Sequence, residues 1–191
     1  GLEAARKGPG LVRRVQEAPH NRINATPFVK PFQLPPDLLE ETLASSSFRR
    51  FTVVRDPATR VLSSYLEKIV QGLKQSESIA MTLGISASEI TFEQFLDVID
   101  EQPSREQDPH WRRQADHLGW GIIDYIAAIH LEHLDSSWDQ VADLTGIPDL
   151  RETFYCKNST GASAKIEEYF TPELRTKVAR IYQGDYSAFG Y

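Results

Sequence analysis

A short apolar run, Phe51-Thr-Val-Val54, leads directly into Arg55 and then Asp56-Pro57, and this junction constrains the fold more than any other part of the chain. The run combines β-branched residues with an aromatic, which fits a strand buried on both faces of a parallel sheet. Asp is a strong N-cap and Pro is favoured at the first helical position, so a helix is expected to start here. Val61, Leu62, Tyr65, Leu66, Ile69 and Val70 follow at i, i+1, i+4 and i+5, which is one apolar stripe of a helix. Strand, tight turn and helix in succession put Arg55 at the carboxyl end of a strand, where open α/β sheets bind ligands. The helix that begins one residue later is expected to offer free N–H groups and partial positive charge to an anion.

The alternation continues downstream. Asp37 to Leu43, after Pro35-Pro36, predicts a short helix, with a turn at Ser45 to Ser47. Ser86-x-x-Glu89 and Thr91-x-x-Gln94 match capping boxes, and the second opens a helix through Phe92, Phe95, Leu96 and Ile99. Tyr125 to His130 reads as a second buried strand, followed by a helix from about Ser136 to Leu144 that stops at Gly146 with Pro148 beyond. Thr171-Pro172-Glu173 caps a final long helix to about Tyr182. Strands alternating with helices predict a layered α/β domain.

The chain of 191 residues has the length of one domain, 1–191, in which 1–36 is rich in Gly, Pro and basic residues and weakly periodic apart from Leu11 to Ala18. That opening is expected to be atypical or truncated. A single cysteine, Cys156, cannot close an intramolecular disulfide and lacks companions at zinc-ligand spacing, so a reducing compartment is expected and no metal is implied. Residues 1–19 lack the apolar centre of a signal peptide and no apolar stretch approaches a membrane span, so the cytoplasm is expected over the Golgi lumen. Asn24 and Asn158 head N-x-T sequons that would matter only in a secretory lumen. A net charge of −6 argues against binding a nucleic-acid backbone, so any anion site must be local. Of the basic groups, Arg6/Lys7, Arg13/Arg14 and Arg112/Arg113 read as solvated faces, whereas the cluster Arg49/Arg50/Arg55/Arg60 surrounds the strand end.

Ser63 stands eight positions after Arg55, two turns into the helix and beside its buried stripe. Its hydroxyl can join the planar guanidinium on a single phosphate. The alternative is that Arg55 pairs with a carboxylate such as Asp56 and that Ser63 is a small packing residue. Spacing leaves both open.

Arg55-Asp-Pro-x-x-Arg60-x-x-Ser63-x-Tyr65 resembles the 3′-phosphate-binding motif of the sulfotransferases that use 3′-phosphoadenosine 5′-phosphosulfate (PAPS), in particular the carbohydrate and related bacterial branch. His110-Trp111-x-x-Gln114 is similar to the family's "HW-x-P-Q" segment, with Arg113 where proline is usual. Asp124-Tyr125 through Leu131-Glu132-x-Leu134, Asn158-Ser159, and the block from Tyr169 to Tyr191 extend the likeness over roughly residues 48–191. The resemblance implies a three-layer fold of a parallel sheet flanked by helices, like that of P-loop nucleotide-binding enzymes. It also implies Arg55 and Ser63 on the donor's 3′-phosphate, PAPS as co-substrate and adenosine 3′,5′-bisphosphate (PAP) as product. The acceptor is expected to be a hydroxyl, of a carbohydrate by likeness to that branch. Asn158, Ser159 and Lys165 are expected to shape a loop over the nucleotide, with a surface turn as the alternative.

The family's opening strand and lysine-bearing loop for the 5′-phosphosulfate have no counterpart in the sequence; Lys7-Gly-Pro-Gly10 is the nearest candidate, without an apolar strand before it or a Ser/Thr after it. Sulfuryl transfer needs a positive group near the leaving oxygen and a general base near the acceptor hydroxyl. His20, upstream of the Arg55 strand where heparan-type relatives place their base, is the first candidate, and His110 is the second. His117, His130 and His133 read as structural or surface histidines, and Trp120 and Trp138 as core. A competing reading is a module of the same fold that binds a nucleotide or sulfated ligand without turnover. A third reading, a P-loop kinase of similar layering, is disfavoured by the lack of G-x-x-x-x-G-K-[ST] to hold a triphosphate. The sequence does not determine oligomeric state.

Overall fold

A computed structural model describes residues 30–153 and 160–191. The expected helix at Leu11 to Ala18 lies outside the described residues. In chain order the elements are α1 (Pro36–Ala44), β1 (Phe51–Val54), α2 (Pro57–Ser64), α3 (Lys74–Leu83), α4 (Phe92–Glu101), α5 (Gln114–Leu118), β2 (Ala127–His130), α6 (Trp138–Thr145), α7 (Leu150–Thr153), α8 (Ala162–Tyr169), α9 (Pro172–Ile181) and α10 (Gln183–Phe189). They fall into two units, one drawn from residues 30–49 and 138–153, the other from 50–137 and 160–191.

In the first unit α1 starts where the proline pair and Asp37 predict, with Pro at its first turn and the acid facing the positive end of the helix dipole. None of its residues is buried. Arg49 donates to the Asp143 carbonyl on α6. That helix begins at Trp138 rather than Ser136 because residues 131–136 wind more tightly, with the Ser136 and Ser137 hydroxyls both donating to the His133 carbonyl.

The second unit is a helix-rich α/β arrangement around a small parallel sheet. β1 and β2 run parallel with Phe51 opposite Ala127 and Val54 opposite His130, the two strands found among the described residues. Val54 and Ile129 are buried, but Val53 is 47% exposed, so the strand expected to be buried on both faces is covered on one. β2 is shorter than the run Tyr125 to His130. Tyr125 is drawn off the ladder, its ring stacked on Trp120 and its hydroxyl donating to the Leu118 carbonyl.

α2 follows the Asp56-Pro57 signal as expected, but the helix does not stay regular. Residues Tyr65–Ile69 form a wider π turn, with Val70 N–H bonded to the Tyr65 carbonyl. The apolar periodicity breaks there, and Val70 ends 58% exposed while Val61, Leu62, Tyr65, Leu66 and Ile69 are buried. α4 supplies the other half of the core through Phe95, Leu96 and Ile99, all fully buried, each contributing about 1.5–3 kcal/mol by leaving water. Its capping box is formed as predicted: Gln94 N–H donates to the Thr91 hydroxyl and Thr91 N–H to the Gln94 carboxamide. α9 ends at Ile181, and the buried Tyr182 hydroxyl donates to the Trp111 carbonyl. The predicted helix thus ends at about Tyr182 as expected, and this tyrosine, after which α10 begins, ties the C-terminal region to the 107–114 loop.

Candidate donor-binding site

The turn between β1 and α2 is held almost entirely by side chains. Asp56 caps α2 by accepting the Thr59 N–H at 2.7 Å, and its carbonyl accepts the Arg60 N–H. Pro57 has no N–H to offer. The Asp56 N–H donates to Glu132 Oε1 at 2.8 Å. The expectation that this helix end offers free N–H groups to an anion is therefore narrowed: Glu132 takes the Asp56 N–H and Asp56 takes the Thr59 N–H. An anion at this turn is met mainly by side chains.

Two such side chains are available. The Arg55 guanidinium forms no hydrogen bond or ion pair among the described residues, and Asp56, the partner of the alternative reading, is committed to its cap. Ser63 Oγ lies 2.9 Å from Thr160 Oγ1, a hydroxyl–hydroxyl contact between α2 and a residue two positions before α8. The neighbouring Ser64 points elsewhere, donating to the Arg60 and His110 carbonyls. Thr160 was not singled out from the sequence, although it closes the Asn158-Ser-Thr triplet; the signal was the triplet's hydroxyl residues, and the pairing across the chain was invisible.

Arg60, part of the same motif, does not act as an anion ligand in this arrangement. Its guanidinium donates to the Arg112 carbonyl at 2.7 Å and the Pro109 carbonyl at 2.8 Å, fastening the 107–114 loop to α2. Burial lowers its pKa, opposed by Tyr182 and Asp185. In that loop the buried Trp111 ring meets Phe95 edge-on at 5.3 Å. Arg113 adopts φ −48°, close to the value proline imposes, and its Nε donates to the Ile181 carbonyl at the end of α9. The substitution of the family's proline thus keeps the backbone shape and adds a tie.

His110 Nδ1 lies 2.5 Å from Asp108 Oδ1, which also accepts the His110 backbone N–H at 2.9 Å. Burial pushes the Asp108 carboxyl up, but hydrogen bonds from His110 and Gln75 outweigh it and leave the group below the ordinary aspartate range. An ionised carboxylate can only accept, so it holds the proton on Nδ1 of the neutral imidazole and leaves Nε2 as an acceptor. Asp108 also lines a cavity of about 340 Å³ with Lys74, Gln75, Ser78, Glu106 and Trp111.

At the C-terminal end of β2, the His130 ring packs on Tyr191 at 4.5 Å and lies 6.0 Å from His133. Tyr191 donates to Glu132 Oε2 at 3.1 Å. Burial, then Asp56 and Asp185, push the Tyr186 hydroxyl up to about 12. Both tyrosines are neutral at ordinary pH, and Tyr191 lies within electrostatic reach of Arg55.

The structure therefore places Arg55, Ser63 and His110 on or against α2. His20, Lys7, Asn158 and Ser159 lie outside the described residues, and Lys165 is exposed on α8. Trp138 is buried, as expected, whereas Trp120 is half-buried between Tyr125 and Phe189. Among the described residues, no group of three or more His, Cys, Asp and Glu side chains is arranged to hold a metal ion, and no helix is long and apolar enough to cross a membrane.

A guanidinium at a strand end and a hydroxyl on the next helix thus stand in a helix-rich α/β unit built on a small parallel sheet. A profile of the sulfotransferase family matches residues 11–191, and the chain belongs to that family. No curated protein and no solved structure gives a significant match.

Proposed function

We propose that this chain transfers a sulfuryl group from PAPS to a hydroxyl of a carbohydrate acceptor, on the three-layer scaffold of its family. The observation that carries the reading is the Arg55 guanidinium, uncommitted among the described residues at the end of β1, with Ser63 on the helix that follows paired to the Thr160 hydroxyl. Arg55 and Ser63 grip the donor's 3′-phosphate and Thr160 completes the contact. Asn158, two positions before Thr160 in the sequence, is a further candidate for the nucleotide, and Lys7 is the lysine nearest in pattern to the family's 5′-phosphosulfate loop.

In the reaction the acceptor oxygen attacks sulfur in line and forms the new S–O bond. The bond from sulfur to the bridging oxygen of the 5′-phosphate breaks, and its electron pair leaves with PAP. The hydroxyl proton passes to a base. His110 is suited to that step because Asp108 fixes its tautomer and leaves Nε2 open, and because Ser64 hangs its loop on the helix that carries Ser63. His20 is the competing base. The mixed lining of the cavity beside Asp108, with Lys74, Gln75, Ser78 and Glu106 next to the apolar Ile79 and Trp111, suits a sugar, which carries hydroxyls and apolar ring faces.

Isothermal titration with PAP, paired with an assay of radiolabelled sulfate transfer to a polysaccharide, tests the reading. Arg55→Ala is expected to weaken PAP binding by about 10- to 100-fold, as loss of a charged hydrogen bond does, and Ser63→Ala to weaken it less. Unchanged affinity in Arg55→Ala overturns the assignment. Binding without transfer favours a ligand-binding module of the same fold.

A further inference from the structure

We propose that Gln114 is a positioning residue for Arg55, its carboxamide acting as a one-residue surrogate strand that fixes the direction in which the guanidinium leaves β1. This rests on the reading of Arg55 as the donor-phosphate ligand and adds a residue with no assigned role.

Gln114 is 6% exposed, and both ends of its amide engage one residue. Oε1 accepts the Arg55 N–H at 2.9 Å and Nε2 donates to the Arg55 carbonyl at 2.8 Å. Exchange of both main-chain groups with a single partner is what a neighbouring strand supplies within a ladder. The β1–β2 pairing ends at Val54 opposite His130, so Arg55 lies just beyond the sheet and needs such a partner. On its other side, the next N–H, of Asp56, goes to Glu132. The peptide groups flanking the Arg55 Cα are thus anchored from two distant segments, which sets its backbone dihedrals and the exit vector of its side chain.

The clamp is itself braced. Asp185, fully buried, accepts the N–H groups of Gln114 and Ala115 through separate oxygens, each at 2.8 Å. The Arg55 guanidinium has no hydrogen-bond or ion-pair partner among the described residues, so the setting of its main chain is what these bonds fix. A long side chain fixed at its root reaches a phosphate with less ordering cost than one on a mobile turn.

The test is the selectivity of the full chain for a 3′-phosphate, read as the ratio of dissociation constants for adenosine 5′-monophosphate and PAP by calorimetric titration, with competition for the weaker ligand. Gln114→Leu, which removes both contacts, is expected to cut the ratio about tenfold, while 5′-monophosphate affinity stays within about twofold. Gln114→Glu preserves the shape but sets a carboxylate against the Arg55 carbonyl, and it is expected to cut the ratio in the same direction; it carries the test if the leucine variant does not fold. In an Arg55→Ala background neither substitution is expected to change the ratio further. Equal weakening of both nucleotides, or an unchanged ratio in chains where Arg55→Ala collapses it, overturns the proposal. If Arg55→Ala itself leaves the ratio intact, the reading of Arg55 fails, and this proposal falls with it.

Discussion

Ser63 and Thr160 place their hydroxyl oxygens 2.9 Å apart although 97 positions separate them in the chain. Each hydroxyl has a donor and two acceptor lone pairs, so after one bond between them the pair retains one donor and spare lone pairs to offer a third group. A phosphate oxygen between them would be met by a preset geometry. Thr160→Val keeps the side-chain volume and removes the oxygen. It is expected to weaken PAP binding about 3- to 10-fold, the net worth of one neutral hydrogen bond, with the melting temperature within a few degrees of wild type. Titration calorimetry beside a thermal melt checks this, and an unchanged affinity would exclude Thr160 from the site.

Asp185 gives the second prediction. A carboxylate that is fully buried and accepts two backbone N–H groups at 2.8 Å is charged where charge is costly, and it is tolerated because those donors and the nearby Arg60 compensate. Asp185→Asn puts an NH2 group against one of those donors. The expected cost is about 2–3 kcal/mol, or roughly 4–12 °C in melting temperature for a chain of this size. Urea unfolding at neutral pH measures it.

The β1–α2 junction was legible in the sequence because its determinants are local: a β-branched run, an N-cap and a proline within seven positions of each other. The capping box at Thr91 and the start of α9 at Pro172 were legible for the same reason. What escaped was every contact made across the chain. The Asp56 N–H at the start of α2 is used by Glu132, and no spacing rule reports a partner 76 positions away. Gln114 was visible as part of a motif but not as a clamp, since an amide reveals its role only when both of its ends are seen on Arg55. Val70 was misplaced because a π turn, which the 3.6-residue period does not anticipate, intervenes at Tyr65–Ile69.

Arg60 separates a structural from a ligand role within one motif. Two of its nitrogens reach two carbonyls of the 107–114 loop, a fork that a lysine's single ammonium cannot reproduce. Arg60→Lys is expected to cost about 1–3 kcal/mol of stability and to raise hydrogen exchange across residues 107–114, with α4 amides following only the global loss. An exchange pattern altered at Arg55 but not in the loop would contradict the assignment.

The Asp108–His110 pair makes a prediction in pH. The folded chain holds the Asp108 carboxyl below its ordinary range, chiefly through His110, despite the opposing effect of burial. A carboxyl with a depressed folded pKa binds protons less readily in the native state than when unfolded, so its stabilisation is complete above about pH 4 and disappears as pH falls through the folded value. Asp108→Asn removes that contribution at every pH. The wild type is therefore expected to exceed the variant by about 1–2 kcal/mol near pH 6, with the gap closing toward pH 3; urea unfolding at both pH values reads it. The same substitution reverses the demand on the imidazole, because an amide no longer fixes the proton on Nδ1. If His110 is the base, sulfate transfer by Asp108→Asn is expected to fall about tenfold or more, and by His110→Ala about 100-fold or more, with PAP affinity unchanged in both. A stability gap that follows this pH course while transfer is untouched would make the pair a loop fastener and return the role of base to His20.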